Sequence, residues 1–211
     1  MYLVKTPWLL KKLYPQLTWD IKSTNRCIYL TFDDGPIPIV TPAVLNILKQ
    51  YDAKATFFCI GDNVRKHPDI FEHVKASGHA IGNHTFNHLK GWKTDTQTYL
   101  DNFLQADKLL NTPLFRPPYG RIKRAQVRAL KAAKPDLNIF MWDVLSGDFD
   151  MALKPEDCLK AVLKYTEAGS MVVFHDSIKA FKRLEYVLPR ALEVWSKEGY
   201  SFSPLAPEGG S

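Results

Sequence analysis

Cysteine is scarce in this chain. Three occur in 211 residues, Cys27, Cys59 and Cys158, far apart in sequence. An odd, scattered set excludes a disulfide framework and agrees with a reducing compartment. Cys59 closes the apolar run ATFFC and reads as a small buried hydrophobe. Long apolar runs are missing too. No stretch reaches the roughly 18 residues of a spanning helix, so no transmembrane segment is read. The N-terminus, MYLVKTPWLLKKLYPQLTWDIK, has no small-residue cleavage site, and Pro7, Trp8, Lys11 and Lys12 break its apolar character. No signal peptide is recognised in it. The expected location is cytoplasmic, or membrane-peripheral if this segment lies on a membrane surface. Dense runs of one charge are also absent. The net charge is +6, but the lysines are spread along the chain, which reads as a solvated surface and gives no nucleic-acid-binding patch.

What is present is an ordinary globular composition, 45% hydrophobic and 24% charged, at a length that suits one substantial domain. Short apolar runs alternate with helix-like segments. Strands are expected at 27–32, 54–60, 79–82, 137–144, 170–174 and 200–203, with LFRPPYGR running from strand into loop because two prolines forbid a helix. Helices are expected from Thr41-Pro42 to about Gln50, with Thr41 as cap, and from Asp62 to Ser77 with a break at His67-Pro68. Further helices fall at 94–110, 122–134, 155–168 and 183–197. Roughly six or seven βα units in a row argue for a parallel sheet with helices outside. The polar residues of interest fall just after strands, where parallel barrels build their sites. The fold class read from this pattern is α/β, a barrel of about seven parallel strands, smaller or more irregular than the usual eight-fold form. Residues 1–25 are expected as an N-terminal extension packed on the domain and 205–211 as a flexible tail.

Four motifs carry chemistry. Asp33, Asp34 and Gly35 lie in TFDDGP after the first strand. Adjacent residues at a strand end point in different directions, so one carboxylate can bind a metal while the other faces substrate. Alone, the motif is equally good turn chemistry, with Gly35 letting the backbone turn. His84 and His88 lie four apart in HTFNH. In a helical turn that spacing shares a face, and both imidazoles could reach one ion. Arg116 and Tyr119 lie in RPPYGR, where an arginine can hold a carboxylate ionised and a fixed backbone N–H can face an oxyanion. His175 emerges from VVFHDS as a candidate general acid, with Asp176 expected to point elsewhere. His67, His73 and His79 have no such partners.

These motifs occur in an order and at spacings that resemble the polysaccharide deacetylase family, the NodB-homology carbohydrate esterases. The resemblance spans roughly residues 26–204. It implies a distorted (β/α) barrel of NodB-homology type and a divalent metal, zinc most often, with cobalt, nickel or manganese as alternatives. It implies Asp33 as general base, Asp34, His84 and His88 as metal ligands, Arg116 as the residue orienting the base, Tyr119 as an oxyanion donor and His175 as general acid. Pro118, Tyr119, Trp142 and Asp148 form the expected substrate-facing set. One motif departs. Where the family carries Asp-x-x-Asp-Trp, this chain has Leu145 for the first Asp and Phe149 for Trp, while Asp148 matches the second Asp. The support of His175 therefore falls to Asp143 or Asp148, or is absent.

The function expected is metal-dependent removal of acetyl groups from N-acetylated amino sugars, in a peptidoglycan-like or chitooligosaccharide-like substrate. The altered motif and the missing secretion signal motivate an alternative, an amidase or esterase acting on a soluble non-sugar substrate. A saccharide-binding domain, stacking sugars on Trp92 and Trp142, is a third reading.

Overall fold

In the segment Cys27–Asp33 (β1), Ile28, Leu30 and Phe32 are fully buried on one face, and Thr31 and Asp33 are buried on the other. A strand covered on both faces belongs inside a parallel sheet flanked by helices. The computed structural model describes residues 3–22 and 25–207 and has that form. On one side of β1 lie β2 (Ala55–Cys59), β3 (Ala80–Asn83), β4 (Leu114–Phe115) and β5 (Asn138–Ile139). On the other lie β6 (Val144–Leu145) and β7 (Met171–His175), with β7 next to β1. Every pairing is parallel, giving a seven-stranded half-barrel; β8 (Ser201–Phe202) adds to the start of β1.

The helices are α1 (Trp8–Leu13), α2 (Val40–Gln50), α3 (Gly61–Lys66), α4 (Pro68–Ala76), α5 (Thr96–Leu110), α6 (Arg124–Ala133), α7 (Pro155–Tyr165) and α8 (Ile178–Lys197). Ile28, Leu30 and Phe32 pack with Val44 and Leu48 of α2 and with Leu184 and Leu188 of α8. The Phe32 ring stacks on Phe57 and Phe174, with centroids 5.0 and 5.9 Å apart. On the opposite face, Phe58, Phe140, Met171 and Leu205 form a separate apolar cluster beneath the polar rim. All three cysteines are buried and free. No helix among the described residues is long and apolar enough to cross a membrane.

Several boundaries differ from the sequence reading. The helix expected to be capped by Thr41 begins at Val40, and the Thr41 hydroxyl instead accepts from the Ile37 N–H at 2.9 Å and donates to Asp176. The last helix starts at Ile178 rather than 183 and carries Pro189 inside it. The helix expected to run to 168 ends at Tyr165. The strand expected over 137–144 is two strands, β5 and β6, at opposite ends of the sheet.

The residues between those two strands pair with the N-terminus. Thr18 N–H donates to Ile139 O at 2.9 Å and Met141 N–H to Thr18 O at 2.7 Å. Thr6 N–H donates to Asp143 O at 2.9 Å and Leu145 N–H to Val4 O at 2.8 Å. Residues 3–22 thus form a strap across the opening of the half-barrel. Asp143, 2% exposed, anchors it through Lys5 at 2.6 Å and Lys11 at 2.7 Å. Burial pushes the Asp143 carboxyl up, but the hydrogen bonds from Lys11, Lys5 and Ser170 prevail and hold it below the usual range. At the other terminus the expected tail overlaps packed chain: Leu205 is buried, and its N–H donates to the Thr56 hydroxyl at 2.8 Å. Residues 208–211 of that expected tail lie outside the described residues.

Candidate active site

Asp33 is the last residue of β1, and His175, the last of β7, is its register partner. Both strands therefore deliver a polar side chain at the C-terminal rim. Asp33 is 4% exposed and accepts from Arg116 Nη1 at 2.8 Å. Arg116 is fully buried, and its remaining bonds fix the guanidinium: Nη1 also donates to the Thr31 hydroxyl at 2.7 Å, and Nη2 to Met141 O at 2.7 Å. The Phe58 ring lies beneath it at 4.2 Å. Burial raises the Asp33 carboxyl, but the charges of Arg116, His84 and His175 together bring it below the usual carboxylate range. Asp33 is therefore ionised at neutral pH.

Asp34 follows in the left-handed region, at φ 88. That strained backbone turns its carboxylate away from Asp33 and towards the imidazoles. Its Oδ1 lies 3.3 Å from His88 Nε2 and 3.9 Å from His84 Nε2. The positive φ of this turn belongs to Asp34, not to Gly35, which corrects the sequence argument for that glycine. Gly35 is needed for space instead: a Cβ there would lie 2.0 Å from Asp176 Oδ2. Asp176 is fully buried and accepts from the Gly35 N–H at 3.0 Å and from the Thr41 hydroxyl at 2.6 Å. Its carboxyl is pushed up to about 8 by burial, against the pull of those two hydrogen bonds. From the other side, Asn63 Nδ2 donates to Asp34 O at 2.7 Å.

His84 and His88 converge, but not through a helical turn. The HTFNH segment is a loop with Thr85 at φ 62 and His88 at φ 56. Two asparagines supply what a helix would have. Asn83 Oδ1 accepts from the Thr85 N–H at 2.8 Å, and Asn102 Oδ1 accepts from the N–H groups of Phe86 and Asn87 at 2.9 and 3.0 Å. His84 Nδ1 faces Arg116 O at 2.7 Å. A carbonyl only accepts, so Nδ1 carries the proton and Nε2 presents its lone pair to Asp34. Burial lowers both histidines to about 4, so both rings are neutral at pH 7.

One ligand atom each from Asp34, His84 and His88 lie within 4.8 Å of one another. Asp34 Oδ1 is buried without a hydrogen-bond donor, and burial raises its carboxyl. A buried carboxylate oxygen without a donor, facing two imidazole lone pairs, is a donor set that fits a divalent cation.

His175 resolves the question left by the altered motif. Its Nδ1 lies 2.8 Å from Asp148 Oδ1, and its backbone N–H donates to Asp148 Oδ2 at 2.7 Å. Burial would lower this imidazole, but the charge and hydrogen bond of Asp148, with Asp34 and Asp33 behind, raise it to about 9. Asp148 is fully buried under the histidine, so the expectation that it faces substrate is corrected. Asp143 is on the strap side and takes no part in this support. Leu145 lines the cleft, and the Phe149 ring meets His175 edge-on at 5.2 Å.

The cleft encloses about 500 Å³ between Asp33, Asp34, His84, His88, Tyr119, Trp142, Leu145, Phe149 and His175. Tyr119, at φ 61 and half exposed, lies against His88 at 4.6 Å between centroids. Pro118 is buried within its loop and does not line the cleft, correcting its expected place beside the substrate. The sequence reading missed Lys90, Arg121 and Lys179, which add positive charge to the cleft wall. Their signal was proximity to the motifs: Lys90 follows His88 and Lys179 follows His175 by a few residues. Trp92 does not line this cleft.

A parallel half-barrel whose rim joins an ionised acid, a raised histidine and a carboxylate with two imidazoles has the build of a barrel hydrolase. The chain belongs to the polysaccharide deacetylase family, whose family model matches residues 20–136. A peptidoglycan-N-acetylglucosamine deacetylase of Bacillus cereus is 34% identical over 203 residues, which cover 92% of this chain and 94% of that protein. A chitooligosaccharide deacetylase of Azorhizobium caulinodans is 34% identical over 207 residues, covering 88% and 95%. Other relatives are longer, and the matched part is 56% of one and 38% of another. A crystal structure of a peptidoglycan N-acetylglucosamine deacetylase, in complex with 4-naphthalen-1-yl-N-oxidanyl-benzamide, superposes with a TM-score of 0.86 at 28% identity, covering 95% of each chain.

Proposed function

We propose that this protein hydrolyses the acetamide of N-acetylglucosamine units in a saccharide, releasing acetate and leaving a free amine. The observation that carries the reading is the cluster of Asp34, His84 and His88 flanked by an ionised Asp33 and a protonated His175. The named activities of the B. cereus and A. caulinodans relatives supply the substrate class.

Asp34, His84 and His88 would hold the divalent ion, and a mixed oxygen and nitrogen donor set of this kind suits zinc. A bound ion there supplies Lewis acidity, polarising the acetamide carbonyl and acidifying water. The chain's own residues do the rest. Asp33, kept ionised by Arg116, accepts the proton of the attacking water. The hydroxide adds to the carbonyl carbon, and the Tyr119 N–H offers a hydrogen bond to the developing oxyanion. His175, kept protonated by Asp148, donates to the amide nitrogen as the carbon–nitrogen bond breaks. Trp142 and Tyr119 wall the cleft as surfaces for a sugar ring.

The test is acetate release from N-acetylglucosamine oligomers by the zinc-loaded protein, with small non-sugar acetamides as the comparison. Turnover of the oligomers is expected to exceed that of the small amides. Equal or greater turnover of the small amides would reverse the assignment.

A further inference from the structure

A second space adjoins the cleft. It encloses about 340 Å³ between the strap and the loop after β4, a volume within the roughly 300–1,000 Å³ of small-ligand sites. Its walls are apolar: Leu10 and Leu17 of the strap, Ile122 after the loop, Val127 of α6, Met141 and Trp92. Tyr119, Arg121, Trp142 and Leu145 line both this space and the catalytic cleft, so the two share a threshold. Trp142 is held there by a close approach: a Cβ on Gly120, which sits at φ +63, would lie 2.3 Å from Trp142 Cη2. Leu145 makes the threshold apolar at the position where the family motif carries an acid.

Resting on the deacetylase reading, we propose that this space receives an apolar group, an alkyl or acyl chain, carried by the saccharide whose acetamide lies in the cleft. Thr6, Gln16, Arg121 and Arg124 are the polar lining of the space, and the larger, apolar part of the wall offers the hydroxyls of a bare sugar no partner. An alkyl chain finds aliphatic and indole surfaces instead, and reaches them without leaving the reacting ring. Arg121, over the Trp92 ring at 5.1 Å, and Arg124, over Tyr14 at 5.9 Å, are the charged residues of the lining.

The experiment measures acetate release from methyl, butyl and octyl N-acetylglucosaminides by the zinc-loaded full chain. KM is expected to fall by about threefold to fourfold per added methylene until the space is filled. Leu10→Asp places a charge in the wall, and Ile122→Trp fills the volume. Both variants should flatten the series while turnover of the methyl glycoside is retained. A flat series in the parent protein, or an unchanged slope in both variants, would overturn the proposal. If no glycoside releases acetate, the deacetylase reading fails separately. The apolar site is then judged by octyl glucoside, which has no acetyl group. Saturable tryptophan fluorescence change below its micelle concentration, lost in both variants, upholds the site, and its absence removes it.

Discussion

Asp33 and His175 are neighbours across two strands, yet their surroundings drive them to opposite charge states. Arg116 makes one an anion and Asp148 makes the other a cation, so each is in the form its proposed step needs at pH 7. Asp33→Ala should lower kcat by about 10²–10⁴-fold with zinc stoichiometry unchanged, as measured by acetate release and metal analysis. Activity should fall as pH rises through about 9, where His175 loses its proton. Asp148→Asn removes the charge that raises it, so the basic limb should move towards the ordinary histidine value of about 6.5. A full pH–rate profile of both proteins checks this. The same ion pair stabilises the fold; its contribution is complete below about 6.5 and is lost as pH rises through about 9. Gly35→Ala forces its Cβ onto Asp176, and should weaken zinc binding by about 10–100-fold through the displaced Asp34, measured by competition with a chelating dye. The residues proposed as base, ligands and acid were legible because their motifs are short and sequential, and the structure brings them to one rim. Asp148 was legible only as one of two candidates, since sequence does not say which carboxylate folds under an imidazole. Asp176 points elsewhere as expected, but its partners were not legible, because a buried strut between Gly35 and Thr41 has no local pattern.

Elements were easiest to read where one segment carried its own reason for existing. β1, β2 and β7 are apolar runs buried on both faces, and α5 has its cap, with the Asp95 carboxylate accepting from the Thr98 N–H at 2.9 Å. The HTFNH pair was identified by spacing, but the helical geometry behind that reading was wrong; Asn83 and Asn102 shape a loop that sequence periodicity does not describe. The stretch 137–144 was misread for a different reason. Some of its hydrogen bonds go to β4 and β7, but Ile139, Met141 and Asp143 also pair with Thr18 and Thr6, more than a hundred positions earlier, and no local signal reports so distant a pairing. Asp143 is the electrostatic anchor of that pairing. Its depressed carboxyl contributes stability that is present above the ordinary carboxylate range and lost as pH falls through its lower folded value. Asp143→Asn should cost about 2 kcal/mol. A Tm lower by roughly 4–8 °C and faster proteolysis within residues 3–22 are the expected readouts.

For the whole molecule, the alternation of strands and helices was enough to predict a parallel barrel with its chemistry at one rim, because handed βα units allow few alternatives. It was not enough to predict how the barrel closes. The proposed ion would couple stability to the rim: Asp34, His84 and His88 come from two separate loops, so zinc at about 100 times its Kd should add about 2.7 kcal/mol to the folded state. That is a Tm higher by roughly 5–11 °C, reversed by a chelator and absent in His84→Ala.

The strap has a consequence for how such a chain is made. A polypeptide emerges from the ribosome starting at its N-terminus, but Lys5 has its bridge partner at Val144 and Thr18 at Phe140. Trp8, Leu9 and Leu13 stay more than half exposed even when docked. During synthesis they wait, with Leu17 and Trp19, for most of the polypeptide to appear. That interval is when Leu17 and Trp19, buried in the finished chain, stand uncovered.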